Sequence, residues 1–366
     1  MEKIQNEIRN LNEIPFIFIV GRPRSGTTLL MALFDAHPNV NIPPECQFIV
    51  NLYPKYKNIV HWTESKIDEF IEDLRIQWRF DIWKVDLKEL KNDLLKFNGK
   101  ASYSDICKSV YLINKSVFPK DTISLLGDKN HGYTIYTERL LKIFPNARFI
   151  HIIRDYRDNL VSIRDVDFEL PITSTVVYKW TYFIKRFNKA KNKFPASHYV
   201  VKYEDLVTSP DTEFMKICDF AGIDYNEKVF NFHEKTEEAL EAYPAEIMNK
   251  YFSSLLKKIN TSRIGLWKKS LTKGQIKIAD LTAGKFADMM GYDKFYNGNN
   301  ILIWLQALPG ILFARFIYLA TFIVDRFPYK LRMNILSIWP LALATIFLRI
   351  FRPEKYRELQ ERILKK

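Results

Sequence analysis

Cysteine is scarce in this chain: 366 residues hold three, Cys46, Cys107 and Cys218, far apart and odd in number. That spacing offers no metal-binding pair and no disulfide framework, so a reducing, cytoplasmic setting is expected. Internal repeats and low-complexity tracts are missing as well. The first nine residues, Met1 to Arg9, are charged and lack an apolar core, so no secretory leader is expected. Long apolar runs are interrupted. Residues 301–324 carry Arg315 and residues 333–348 carry Pro340, so neither supplies the ~20 uninterrupted apolar residues of a spanning helix. The most telling absence is a single lysine. Gly21-Arg-Pro-Arg-Ser-Gly26 has the glycine spacing of a nucleoside-triphosphate loop, yet Thr27 stands where that loop needs its lysine. This argues against an ordinary ATPase or GTPase.

What is present points to phosphate all the same. An apolar strand over 16–20 runs into the glycine-bounded turn, and a helical pattern follows over 27–36. Backbone N–H groups of such a loop, together with the helix N-terminus, make a cradle for an anion. Arg24 supplies a cation from inside the loop, and Ser25, Thr27 and Thr28 add hydroxyl donors. The 47% hydrophobic content is ample for a core, and the net charge of +13 suggests anionic partners: a nucleotide, an anionic membrane surface or nucleic acid.

Further along, residues 62–98 read as largely helical, with a second helix at about 101–115. Leu125 to Lys129 reads as a strand end, and 133–144 as a helix. Arg148–Ile153 reads as a strand, followed by helices over 156–165 and 174–194, and His198–Lys202 as another strand. Strands alternating with helices predict an α/β, P-loop-type three-layer fold around a parallel sheet, with ligands outside the carboxyl ends of the strands. The motif-bearing strands end at Gly21, Arg154 and Tyr203, which would converge on one crevice. Arg154 at a strand end, with Ser162 on the next helix, suits a phosphate, since the guanidinium presents a planar fork to its oxygens.

With these stretches laid out, the chain resembles the sulfotransferases that use 3′-phosphoadenosine 5′-phosphosulfate (PAPS), in the branch of bacterial and tyrosylprotein sulfotransferases. Gly21 to Leu30 with Asp35-Ala-His-Pro38 is similar to that branch's 5′-phosphosulfate loop, and Phe149 to Ser162 to its 3′-phosphate motif. Gly127-Asp-Lys129 resembles the lysine-bearing segment, and Lys202-Tyr-Glu-Asp-Leu206 the nucleotide-side tyrosine motif. The likeness runs over 14–222, with a weaker echo at 261–270.

The resemblance implies PAPS as co-substrate, PAP (adenosine 3′,5′-bisphosphate) as product and no metal. It puts Arg24, Ser25, Gly26, Thr27, Thr28, Arg154, Ser162 and Tyr203 on the nucleotide, with Ser262 and Arg263 in a late closing loop. It puts Glu45 as the base, with Lys129 and Arg24 on the transferring group and departing phosphate. Taken alone, Tyr203 also reads as a core tyrosine, and 262–269 as a simple helix start. His37 reads as a cap of the first helix, and His131 has no evident partner.

Residues 1–298 are then the catalytic domain, with an acceptor-side helical region at about 62–115. Its Trp62, Trp78, Phe80, Trp83 and Tyr103 suit a sterol, lipid or glycan acceptor, or form the core of a helical lid. Residues 299–366 form an apolar and basic helical extension. It would lie on an anionic membrane at the inner face of the cytoplasmic membrane, pack on the domain, or form a homodimer interface. Nucleic acid is not an expected partner. The competing functions are a P-loop kinase using ATP and a membrane-associated nucleotide-binding protein without turnover.

Overall fold

An apolar run with no polar gap is what a strand covered on both faces looks like, and β1 (Phe16–Val20) is buried at every position. The structure, a computed structural model, describes residues 11, 13–166, 168–239, 241 and 255–335, and a few positions between 345 and 357. The first nine residues, and most of the 333–348 run and basic tail, lie outside the described residues. Chain contacts divide into two compact units, one of residues 1–154 and 183–264, the other of 155–182 and 265–366.

The first unit holds a five-stranded sheet of β1, β2 (Val40–Asn41), β3 (Leu125–Lys129), β4 (Arg148–Ile153) and β5 (His198–Lys202), in the order β2-β3-β1-β4-β5. Every pairing is parallel. Alternate residues of β1 face opposite ways. Ile17 and Ile19 pack with Leu30, Leu33 and Phe34 of the helix Thr27–Asp35, and with Phe214 and Ile217 of the helix Pro210–Ala221. Phe16 and Phe18 face the other layer, where Phe16 meets Tyr111 edge-on at 4.9 Å and Phe144 at 4.7 Å. Helices on both faces give the three layers expected. Because β1 lies between β3 and β4, the chain turns off in opposite directions around it, and the crevice opens beyond its carboxyl end.

The long helical reading of 62–98 is broken. Helices occupy Glu64–Arg75 and Leu87–Leu95, with one tight turn at Asp81–Trp83 between them. Arg79 and Lys84 take left-handed backbone, at φ 65° and 50°. The reason is tertiary. Phe80 and Trp83 are buried, and the Trp83 indole N–H donates to the Pro44 carbonyl at 2.8 Å, which a straight helix would not allow. The reading of 133–144 is likewise split, into a turn at His131–Ile135 and a helix at Thr137–Ile143. The aromatics of the acceptor-side region are mostly core. Trp62, Phe80, Trp83 and Tyr103 are buried, while Trp78 is 62% exposed with Arg79 stacked on it at 4.1 Å.

In the second unit, Tyr156 donates to Asp280 at 2.5 Å, and Arg157 lies over Trp267 at 3.9 Å. Asp158 accepts from the backbone N–H groups of Gly265 and Trp267, at 2.7 and 2.9 Å. The interrupted apolar stretch forms one unbroken 24-residue helix, Ile301–Val324, long and apolar enough by length and composition to cross a membrane. It docks through Ala307, Gly310 and Ala314, its buried positions, and against the helix Lys273–Ala283. A Cβ on Gly310 would stand 2.2 Å from the Ser174 hydroxyl, so a larger residue here would force that side chain to move.

Candidate active site

The loop after β1 takes its shape from two glycines. Gly21 has φ 145°, and a Cβ there would fall 2.4 Å from the Ile152 carbonyl oxygen. Gly26 has φ 97°, and its Cβ would strike the Tyr203 ring at 2.6 Å. Side chains at either position would be strained as well as crowded. Between them Arg24 also adopts left-handed backbone, at φ 66°. The helix Thr27–Asp35 starts at Gly26 with no side-chain cap. Its leading N–H groups therefore point at the crevice, the arrangement that receives a phosphate. Ser25 and Thr27 are buried beside them. This cradle suits a phosphate group.

Arg154, one residue past β4, is 3% exposed and closes the same crevice. It donates to the Arg24 carbonyl at 3.1 Å and to the Arg263 carbonyl at 2.6 Å. Its guanidinium lies 4.7 Å from the centre of the Tyr203 ring. The structure thus brings Arg24, Arg154, Tyr203 and Arg263 together through one side chain. Ser262 neighbours them in sequence and bonds to Asn260. Ser162 sits on the helix Tyr156–Ile163 in the second unit.

Glu45 and Lys129 meet at the end of β3. Register fixes this, because Lys129 pairs with Ile19 across the sheet and so lies level with the end of β1. The ammonium group is 2.9 Å from Glu45 Oε2, and Arg79 stands 3.7 Å from the same oxygen. Glu45 is 4% exposed. Its other oxygen, Oε1, is buried and accepts no hydrogen bond from any described residue. Burial by itself would raise this carboxyl, but His131, Lys129 and Arg79 pull it down and hold it at about 2. Asp128, next to Lys129, is pushed up to about 7 by burial, against hydrogen bonds from Tyr111 and Asn130. The carboxylates on this strand end are therefore divided into an ionised Glu45 and a structural Asp128.

Sequence reasoning missed part of this cluster. His131 has a partner after all, with Nδ1 3.2 Å from Glu45 Oε1. The only sequence signal was its place two residues beyond Lys129. Arg79 gave no signal, because it arrives through the broken helix. His37 does not cap the first helix with its ring. It accepts from the Asn39 N–H at 3.2 Å and lies 2.9 Å from the Asp224 carbonyl, tying down the following turn. Thr134 links the two halves of the site, accepting from the Gly21 N–H at 3.1 Å and donating to the His131 carbonyl at 2.8 Å.

Comparison with known proteins agrees with this arrangement. The model of the sulfotransferase family matches residues 15–227, more than half of the chain. The protein-tyrosine sulfotransferase of Drosophila melanogaster is 26% identical over 296 residues, covering 78% of this chain and 53% of that protein. Protein-tyrosine sulfotransferase A of Caenorhabditis elegans is 27% identical over 293 residues, covering 78% and 69%. The chain thus spans about half the length of the first of these and two thirds of the second. Among solved structures, the sulfotransferase domain from the Synechococcus PCC 7002 olefin synthase superposes with a TM-score of 0.52 at 20% identity. That likeness covers 76% of this chain and 95% of that domain. Fold, phosphate cradle and family match agree: the chain belongs to the sulfotransferase family, whose sulfuryl donor is PAPS.

Proposed function

We propose that this protein transfers the sulfuryl group of PAPS to an acceptor hydroxyl, with Glu45 as the base. The observation that carries the reading is the split carboxylate. Oε2 is held by Lys129, while Oε1 is buried beside His131, 3.2 Å from its Nδ1, and accepts no hydrogen bond from any described residue. The acceptor oxygen gives its proton to Oε1 and attacks sulfur in line, opposite the bridging oxygen. The bond between sulfur and that oxygen breaks, and PAP departs. Arg24, Lys129 and the loop N–H groups meet the negative charge that grows on the departing phosphate. Ser25, Thr27, Thr28, Arg154, Tyr203, Ser262 and Arg263 bind the nucleotide.

For the acceptor, the relatives named protein-tyrosine sulfotransferases support a tyrosine hydroxyl in a polypeptide. A phenol loses its proton far more readily than an alcohol (ordinary pKa about 10 for tyrosine), which suits a carboxylate base. A membrane-borne sterol or lipid, or a glycan, is the second reading, and the apolar face of the helix Ile301–Val324 favours the first two. Incubation with PAPS and a pool of tyrosine peptides, sterols, lipids and glycans, read by mass, decides it. A sulfated peptide is the expected product. A sulfated lipid or sugar would move the assignment, and turnover of ATP in place of PAPS would sink it.

The same helix supports attachment to a membrane surface. Leu312, Phe316, Leu319 and Ile323 stand on one exposed stripe, each 47–58% open to solvent. Arg315, near the middle, donates to Tyr178 at 3.2 Å, and an arginine at the centre of a span costs at least ~2.5–3.5 kcal/mol. Lying in the interface avoids that cost and keeps the helix docked on its own unit. The three buried, unpaired thiols accord with a cytoplasmic, reducing side. The protein should therefore sediment with vesicles of anionic phospholipid and be partly released by salt. Leu312→Asp with Phe316→Asp should abolish sedimentation and leave PAP binding intact. Unchanged sedimentation of that variant would remove the membrane reading.

A further inference from the structure

His131 is brought to the oxygen of Glu45 that the two cations leave alone. Its Nδ1 lies 3.2 Å from Oε1, whereas Lys129 and Arg79 sit on Oε2. The contact is at ion-pair distance, yet Oε1 accepts no hydrogen bond from any described residue. Imidazole and incoming acceptor hydroxyl therefore compete for one atom.

The ring is also firmly placed. The His131 carbonyl accepts from Thr134, whose hydroxyl is bonded to the Gly21 N–H of the phosphate loop. A Cβ on the following Gly132 would meet the Gln47 amide at 2.8 Å. The charged groups around the ring are Glu45 before the helix Phe48–Tyr56, Lys129 at the end of β3, Arg22 in the loop after β1, and Arg79 after the helix Glu64–Arg75. One carboxylate faces three cations.

We propose that His131 is a positioning residue that sets the working state of Glu45. Neutral, it leaves Oε1 to the acceptor hydroxyl. Protonated, it closes an ion pair on Oε1 and takes the base out of action. The inference rests on the reading of Glu45 as base and adds a group that decides when that base is available. Burial pushes the ring below its ordinary 6.5, and Lys129, Arg22 and Arg79 push the same way against the pull of Glu45. The ring is therefore neutral at pH 7. Activity should fall on acidification as His131 charges, before Glu45 itself protonates.

The test is the pH dependence of kcat/KM, which reports groups of the free enzyme, for the full chain and for His131→Asn and His131→Gln. The unaltered protein should lose activity on the acid side, below the ordinary imidazole range. In both variants the acid limb should move down, because the group that titrates is then Glu45, a carboxyl, in place of the imidazole. At pH 7.5, kcat should fall by no more than about 10-fold, with PAP affinity by calorimetry unchanged. A parallel loss at every pH, with the limb unmoved in both variants, would overturn the proposal.

An independent readout is the NMR titration of the His131 ring. In Glu45→Gln its pKa should drop further, because the one carboxylate that faces it among the described residues is gone. An unchanged titration would also overturn the proposal. The two readings can fail separately. If Glu45→Gln keeps wild-type turnover, the base is misassigned. If it is inactive while the His131 variants keep the acid limb, only the role of His131 falls.

Discussion

Glu45→Gln is expected to lower turnover by about 100-fold or more while leaving PAP affinity within about a factor of two. The amide keeps the shape of the carboxylate and an oxygen for Lys129, but it cannot take a proton from the acceptor. The nucleotide should be untouched, because the loop after β1 and Arg154 make no bond with Glu45. Single-turnover measurement with labelled PAPS separates the chemical step from product release. The variant will also be less stable, since Lys129 and Arg79 lose a buried countercharge, so PAP binding should be checked at the assay temperature. Wild-type turnover would shift attention to the imidazole of His131.

Arg154→Ala should have the largest effect on the nucleotide. A 3′-phosphate met by a guanidinium makes charge-assisted bonds of roughly 1.5–3 kcal/mol each, so the unaltered protein should bind PAP far better than ADP. The variant should lose most of that preference, with PAP affinity reduced by about 100-fold or more. ADP should weaken too, by a smaller factor, because Arg154 also fastens the carbonyls of Arg24 and Arg263 and covers Tyr203. Calorimetry with both nucleotides gives the ratio. Equal affinities in the unaltered protein would remove the 3′-phosphate assignment.

Much of the scaffold is legible in the chain because it is written locally. The run Phe16–Val20, two glycines and a helical pattern define strand, turn and helix within twenty residues. The runs Arg148–Ile153 and His198–Lys202 end where polar side chains begin, so the carboxyl ends of three parallel strands could be located before any coordinates. Gly26 could be marked as a turn residue. That it must also make room for the Tyr203 ring became visible only in the structure.

The candidate site divides along the same line. The family resemblance pointed to Glu45 and Lys129, and the place at a strand end to Arg154, but the sequence alone could not say which groups face them. Arg79 reaches Glu45 because Phe80 and Trp83 are drawn into the core beneath Pro44, breaking a stretch whose own periodicity favours continuous helix. The same burial turned the supposed acceptor aromatics into core and left Trp78 outside. Gly310 and the apolar stripe beyond it show the reverse case. Composition announced an apolar segment interrupted by Arg315, and only packing against Ser174 and Thr175 decided which face is buried. Local backbone preference and the period of apolar residues are properties of neighbours in sequence, so the chain determines strands, turns and the phosphate loop by itself. Burial and charge pairing sum over residues remote in sequence, and so only the tertiary structure decided that Oε1 of Glu45 faces His131.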